Sequence, residues 1–350
     1  MKRASNPVLH GGALALLSAL AFGLTTPLIQ RFSQGVGVFP AAALLYAGAA
    51  LVSLNWARQP TVNEAPVRSE HFARLVLVAV LGAVVAPACL IWGLQRTDAV
   101  SASLLLNFEA AFTVVLAWVV HAEPIGRRVA LALCAMSVGG VLLASAGGLL
   151  IPGFGLGALA IVLATLGWAT DNTLSRPLAE LSPSQVVLSK GALGALLSVE
   201  LAVALRQTFP KPWPALGLLV CGATGYGLSL QLYLRAQRRI GAARTGSIFA
   251  VAPFVGASAA WLLGGAPVGA WSALAAACFA LGVYLHLTED HGHFHRHDAL
   301  THDHAHRHDD GHHAHTHDPP VRGEHSHAHS HEELVHEHPH APDVHHRHEH

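Results

Sequence analysis

Long apolar stretches, divided by short polar connectors, fill most of the chain, and the last sixty or so residues carry almost no apolar side chain. A helix needs about 20 mostly apolar residues to cross the hydrocarbon core of a bilayer. Ten such stretches occur, at about 9–30, 36–56, 74–95, 99–121, 128–149, 154–175, 185–205, 213–235, 244–264 and 267–287. None alternates apolar and polar residues as a strand would. A segment in lipid must also satisfy its own backbone, so each stretch is predicted to be a helix.

Composition agrees with a membrane as solvent. Charged residues make up 12% of the chain, about half the roughly 25% of a soluble domain. Mean hydropathy is +0.42 even with the polar tail included. The formal net charge is zero and the arginines lie in short scattered clusters, so no nucleic-acid partner is expected. Cys89, Cys134, Cys221 and Cys278 each sit inside an apolar stretch without CxxC spacing, and are read as small buried hydrophobes. Met1-Lys2-Arg3 before the first apolar run looks like the start of a signal peptide. That run is long enough to span, however, and nine more follow, so it is expected to be a first transmembrane helix that also targets the chain.

Lys and Arg give the orientation. With the N-terminus inside, the cytoplasmic segments hold 13 of them: Lys2, Arg3, Arg58, Arg68, Arg74, Arg127, Arg128, Arg176, Lys190, Arg235, Arg238, Arg239 and Arg244. The opposite side holds 4: Arg31, Arg96, Arg206 and Lys211. The asymmetry predicts an inner-membrane, multi-pass protein with both termini in the cytoplasm.

The chain also repeats itself. Leu16-Leu17-Ser18-Ala19-Leu20-Ala21-Phe22 matches Val162-Leu163-Ala164-Thr165-Leu166-Gly167-Trp168 at a shift of 146. From about 97 to 145 a shift of 143 pairs Ala117-Trp118 with Ala260-Trp261, Pro124 with Pro267, Gly139 with Gly282 and Leu142 with Leu285. The predicted fold is therefore an all-α membrane protein: residues 1–150 as a first five-helix repeat, 151–288 as a second, and 289–350 as a disordered histidine-rich cytoplasmic tail. An odd number of spans per half turns the second half upside down. Such inverted repeats place a site at their interface near the midplane and let either face open in turn.

The ten-helix pattern, the small-residue-rich first helices ending in Gln30-Arg31 and Ser175-Arg176-Pro177, and the stretch from Leu106-Asn107-Phe108-Glu109-Ala110-Ala111-Phe112 through Ala117-Trp118 to Ala122-Glu123-Pro124 resemble the EamA-type permeases of the drug/metabolite transporter superfamily. The resemblance covers about residues 9–287. It implies a ten-helix permease with cytoplasmic termini that moves small solutes, often outward, by exchange or ion coupling. The second half departs from the pattern, with Ala252 and Ala266 where the first has Glu109 and Glu123.

Ionisable groups inside a membrane are functional candidates by default. Glu109 lies mid-span in the fourth helix and is expected to face the bundle interior, as a coupling carboxylate or as a structural hydrogen-bond partner. Asp171, with Asn172 and Trp168 beside it and Arg176 nearby, is read either as part of the substrate path near an inner gate or as a structural ion pair. Asn107, Trp92, Tyr226 and Gln231 complete the candidate pathway. Lys190 and Glu200, nearer the ends of the seventh helix, are expected to snorkel toward the interfaces. His121 with Glu123 is too few ligands for a metal site. Pro27, Pro87 and Pro253 fall inside spans, where each frees a backbone carbonyl. Gly82, Gly153, Gly157 and Gly222 are expected to let helices approach closely.

The tail carries 23 of the 27 histidines. The candidate metal ligands are His291, His293, His295, His297, His302, His304, His306, His308, His313, His315, His317, His325, His327, His329 and His331. Neutral imidazoles at His-x-His spacing bind Zn²⁺, Ni²⁺, Co²⁺ or Cu²⁺ well, and binding should fail as pH falls below about 6, when imidazole protonates. Nothing in the spans requires a cofactor, and no nucleophile–base pair or phosphate loop points to an enzyme.

The leading expectation is a secondary transporter, in one version exporting a small organic metabolite with the tail as a metal-binding accessory. The alternatives are a divalent transition-metal transporter and a membrane-anchored metal buffer or sensor without transport. Expected partners are the bilayer, a small-molecule or ion substrate and transition-metal ions on the tail; a homodimer stays open.

Overall fold

The computed structural model describes residues 7–58, 66–121, 126–148, 154–175, 178, 181–264 and 269–287, and beyond them the backbone of four short stretches of the tail. The helices are α1 (Pro7–Ser33), α2 (Val38–Arg58), α3 (Phe72–Ala79), α4 (Ala86–Leu94), α5 (Ala99–Leu105), α6 (Phe108–His121), α7 (Arg127–Gly148), α8 (Phe154–Ser175), α9 (Pro183–Ala204), α10 (Pro212–Cys221), α11 (Ser229–Phe249), α12 (Ala252–Leu262) and α13 (Ala270–Leu287). A 3₁₀ turn at Ser69–His71 leads into α3, and π-helical segments at Val80–Val85 and Gly222–Leu228 join α3 to α4 and α10 to α11.

Together these elements make ten crossings. The third span is α3 with α4, the fourth α5 with α6, and the eighth and ninth share α11. That helix doubles back: the rings of Tyr233 and Phe249 lie 5.2 Å apart, whereas 16 residues of straight helix would part them by about 24 Å. The sequence predicts a connector near 235–244, and the chain does reverse there, but helical backbone runs through the turn. Arginine is a good helix former, so its charges do not interrupt the helix.

By length and apolarity alone, five helical stretches among the residues with described side chains qualify as spans: His10–Ser33, Ser69–Leu94, Ala99–Val120, Pro183–Ala204 and Pro212–Gln237. Val38–Leu54, Ala252–Leu262 and Ala270–Leu285 are further apolar helical stretches among those residues. Around the outside stand Leu16, Leu17, Leu51, Val119, Leu131, Val141, Leu163 and Leu196, all exposed. Ser18, Thr25, Asp171, Ser198 and Gln231 are buried. Apolar residues outside and polar ones inside suit lipid, not water. Exposed Trp213, Trp261 and Trp271 cluster at one end of the bundle, as an interfacial aromatic belt would.

The duplication governs the packing. Span 1 packs on spans 8 and 9, and span 6 on spans 3 and 4. Span 2 lies along span 7, span 5 along span 10, and span 4 against span 9. Exchanging the halves, so that span 1 becomes 6 and span 2 becomes 7, maps this set of contacts onto itself. The glycines aligned by the repeat sit in one such symmetric interface. A Cβ on Gly139 of α7 would meet Phe279 of α13 at 3.1 Å, and one on Gly282 of α13 would meet Met136 of α7 at 2.6 Å.

The two π-helical segments occupy matching places in spans 3 and 8. Pro87 has no N–H to offer the carbonyl four residues back and its ring crowds that turn, so the helix widens just before it. In span 8 three glycines, Gly222, Gly225 and Gly227, lower the helix's resistance to the same change. Gly222 is also where span 8 touches span 2, since any Cβ there would collide with the Leu45 carbonyl. Gly222→Ala is accordingly expected to destabilise the protein by about 1–3 kcal/mol. A lowered thermal midpoint in detergent would register this, while Gly269→Ala, with open space around it, should change nothing.

The sequence predicts no fixed structure after residue 288. In the described stretches of the tail the backbone is instead extended: β1 (Phe294–His297) pairs antiparallel with β4 (Leu334–Glu337), and β2 (Leu300–His306) with β3 (His325–His331). A His-x-His alternation has the two-residue period of a strand, and ladder bonds need only backbone groups. His291, His293, His308, His313, His315 and His317 lie outside the described residues.

Candidate functional site

The polar residues of the bundle interior gather where α8 and α9 of the second half meet the widened third span of the first. The π-helical turn leaves the Gly82 carbonyl free of its usual helical partner, and it accepts two side-chain bonds, from Tyr46 Oη on α2 and from Trp168 Nε1 on α8 at 3.0 Å. The Asp171 carboxylate occupies the space that a side chain at position 82 would need. A glycine there thus serves two ends: it admits the acid and offers the acceptor.

Asp171 is 1% exposed and its Oδ2 accepts from Lys190 Nζ on α9. Its Oδ1 has no hydrogen-bond partner among the described residues. Lys190 was expected to snorkel to an interface. It turns inward instead, because a buried carboxylate at the same depth offers it more than the headgroup region does. Glu200 stays exposed, in keeping with the interfacial reading. One residue on from Asp171, Asn172 Nδ2 donates to Glu109 Oε1 at 2.9 Å, tying α8 to α6 across the repeat interface. Asn172 remains exposed and Glu109 half-buried.

An aromatic box stands against these charges. Phe22 of α1 contacts Trp168 at 6.4 Å, Tyr226 at 5.9 Å and Phe249 at 5.7 Å, centroid to centroid. Tyr46 and Tyr226 meet edge-on at 5.4 Å. The Tyr226 hydroxyl is buried and has no partner among the described residues. On the adjoining turn of α11, Gln231 is fully buried, with its Oε1 accepting from Ser184 at 3.3 Å and its Nε2 without a partner among the described residues. Unpaired buried polar atoms are rare and call for an explanation. Here Tyr226 is itself a member of the aromatic cluster, while Asp171 and Gln231 lie on α8 and α11, the helices that supply Trp168 and Phe249 to it.

Of the sequence candidates, Glu109, Asp171, Asn172, Trp168, Tyr226 and Gln231 fall in this region. Trp92 does not. It carries the Arg96 guanidinium over its ring at 3.9 Å and accepts from Arg96 through its carbonyl, at the far end of the third span. An aromatic residue one turn from an arginine at a helix end stacks locally rather than facing a passage. Asn107 is buried, but its Nδ2 donates to the Leu104 carbonyl at 2.9 Å, which caps the break between α5 and α6. Arg176, offered as a partner of Asp171, lies outside the described residues, as does Glu123. The side chain of His121 is likewise outside them. Sequence reasoning missed Tyr46, Phe22, Phe249 and Ser184. Phe22 is the repeat equivalent of Trp168 at the shift of 146, a signal that could have found it; the other three are identified by the pairing of helices.

No trio of His, Cys, Asp or Glu side chains among the described residues is arranged to hold a metal. In the tail, the register places His302 opposite His329, His304 opposite His327, and His306 opposite His325.

Comparison with other proteins agrees with this architecture. A solved crystal structure superposes with a TM-score of 0.57 at 18% identity, over 80% of this chain and 95% of that one, a likeness that shows the fold alone. A protein of Methanothermobacter thermautotrophicus described as an uncharacterized transporter is 28% identical over 242 residues, 66% of this chain and 69% of its own. The EamA-like transporter family matches twice in tandem, at residues 9–146 and 155–288, once for each five-helix half. With both matches spanning nearly the whole bundle, the chain belongs to the EamA-like transporter family and is a multi-pass membrane protein.

Proposed function

We propose that the chain is a secondary transporter that exports a small organic metabolite across the inner membrane by alternating access, with both termini in the cytoplasm and a tail that binds transition metals as an accessory. The observation that carries this reading is the aromatic cluster of Phe22, Tyr46, Trp168, Tyr226 and Phe249 where the two halves meet, with the Tyr226 hydroxyl inside it lacking a partner among the described residues. Ring faces suit a planar or apolar organic body, and a hydroxyl, which can donate or accept, suits a polar group on that body. A bare divalent ion would need several anionic or imidazole ligands to replace its water. The described spans offer Asp171 and Glu109, and each already has a partner.

The tail supports a second reading, transport or buffering of Zn²⁺, Ni²⁺, Co²⁺ or Cu²⁺. The His-x-His spacing of β2 and β3, whose backbone register sets His302, His304 and His306 opposite His329, His327 and His325, favours metal binding there. Deletion of residues 289–350 separates the readings. Vesicles carrying the truncated protein are expected to move the metabolite that the full chain moves, at an unchanged rate and with metals chelated, while losing bound Zn²⁺. Movement of radiolabelled zinc by the truncated protein would favour metal as cargo. If metal tolerance alone changes and no solute moves, the buffer is the correct reading.

A further inference from the structure

At the end of the bundle opposite the chain's N-terminus, two glutamines clasp the first and third spans. The last four carbonyls of a helix have no partner within it. Gln30 Nε2, near the end of α1, donates to Leu94 O at 2.8 Å and Thr97 O at 2.6 Å, at the end of α4. In return Gln95 Nε2 donates to Ser33 O at 2.6 Å and Val36 O at 2.9 Å, at the end of α1. Each amide thus bonds one carbonyl at the other helix's last residue and one in the connector just beyond it, and both N–H groups of both amides are used. Beside the clasp, Gly37 N donates to Thr208 O at 2.9 Å and Phe39 N to Gln207 Oε1 at 2.9 Å, which closes α2 onto the end of α9. Toward the other end, Asn172 of α8 is exposed.

We propose that the reciprocal Gln30–Gln95 contact is the gate of this distal end, shut in the present structure, and that its release opens the passage to that side. Its chemistry fits a contact that must break repeatedly. The bonds join neutral amides to carbonyls, each is individually modest, and water takes over the carbonyls when the helix ends part. The inference rests on the alternating-access reading above.

The test places one reporter cysteine beneath the clasp. Thr26, 3% exposed, is one helical turn from Gln30 on the same face of α1. Thr26→Cys is made in the full-length protein with Cys89, Cys134, Cys221 and Cys278 replaced by Ala, and a membrane-impermeant maleimide is applied to each face of oriented vesicles. Gln30→Glu or Gln95→Glu keeps the shape but replaces the two donors by acceptors. Either is expected to speed labelling from the distal face by about tenfold or more, through a larger distal-open population, with no gain from the other face. The milder Gln30→Ala with Gln95→Ala should act in the same direction if the charged variants fail to fold. Gln34→Glu is the control, since exposed Gln34 only donates to the Gln30 carbonyl. Unchanged labelling in the clasp variants, a gain no larger than in Gln34→Glu, or an equal gain from both faces would overturn the gate. If labelling responds as expected but vesicles carry no solute, the transport reading fails and the gate stands.

Discussion

Glu109→Gln is expected to reduce energised accumulation of the cargo to its equilibrium level while leaving exchange of that cargo across the membrane in place. Glu109 is an acid within the fourth span, held to the opposite half only through Asn172. The amide keeps the volume and still accepts from Asn172, so the helix contact survives and stability should change by no more than about 1 kcal/mol. What it loses is the ability to carry a charge or a proton between faces. Coupled uptake and unenergised counterflow, measured on the same vesicles, separate the two functions. Full accumulation by Glu109→Gln would remove the residue from the coupling step and leave it a structural tie between α6 and α8.

The largest effect on stability is expected at the buried ion pair. Lys190→Met strands the Asp171 carboxylate, which is 1% exposed and already has one oxygen unpaired. Removing one member of a buried pair costs about 3–5 kcal/mol, because the other charge stays behind without compensation. Asp171→Asn combined with Lys190→Met removes both charges and should recover most of that loss. Thermal midpoints of the two single variants and the double variant, taken as a cycle, give the coupling directly. Additive losses would show that the two residues do not depend on each other.

The course of the fold was legible because lipid imposes a coarse rule. Apolar runs of sufficient length become spans, and Trp118 with Trp261 and Gly139 with Gly282 mark the repeat at one shift. The glycines proved to be paired because α7 and α13 approach each other there from both sides. Depth along a helix was legible as well, but the face it turns to its neighbours was not. Asp171 and Lys190 sit at matching depths on consecutive spans, and that opposition of charge was the available sign of their pairing. Distance from the helix end, read alone, pointed Lys190 outward. Trp92 was misplaced for a related reason: its partner, Arg96, is one turn away on the same helix. The π-helical segments left only indirect marks, Pro87 on one side and three glycines on the other. Tyr46 and Phe22 enter the site through contacts between helices more than a hundred residues apart in sequence, which no local pattern encodes.

The account depends on the two halves lying in the membrane in opposite directions. Gly126 and Gly269 are equivalent positions of the repeat at the shift of 143, each just ahead of the last helix of its half. Single cysteines placed there, in a background without the native four, test the inversion with an impermeant thiol reagent. The account predicts that Gly126→Cys reacts from one face of the membrane only and Gly269→Cys from the other only. Reaction of both from the same face would contradict it.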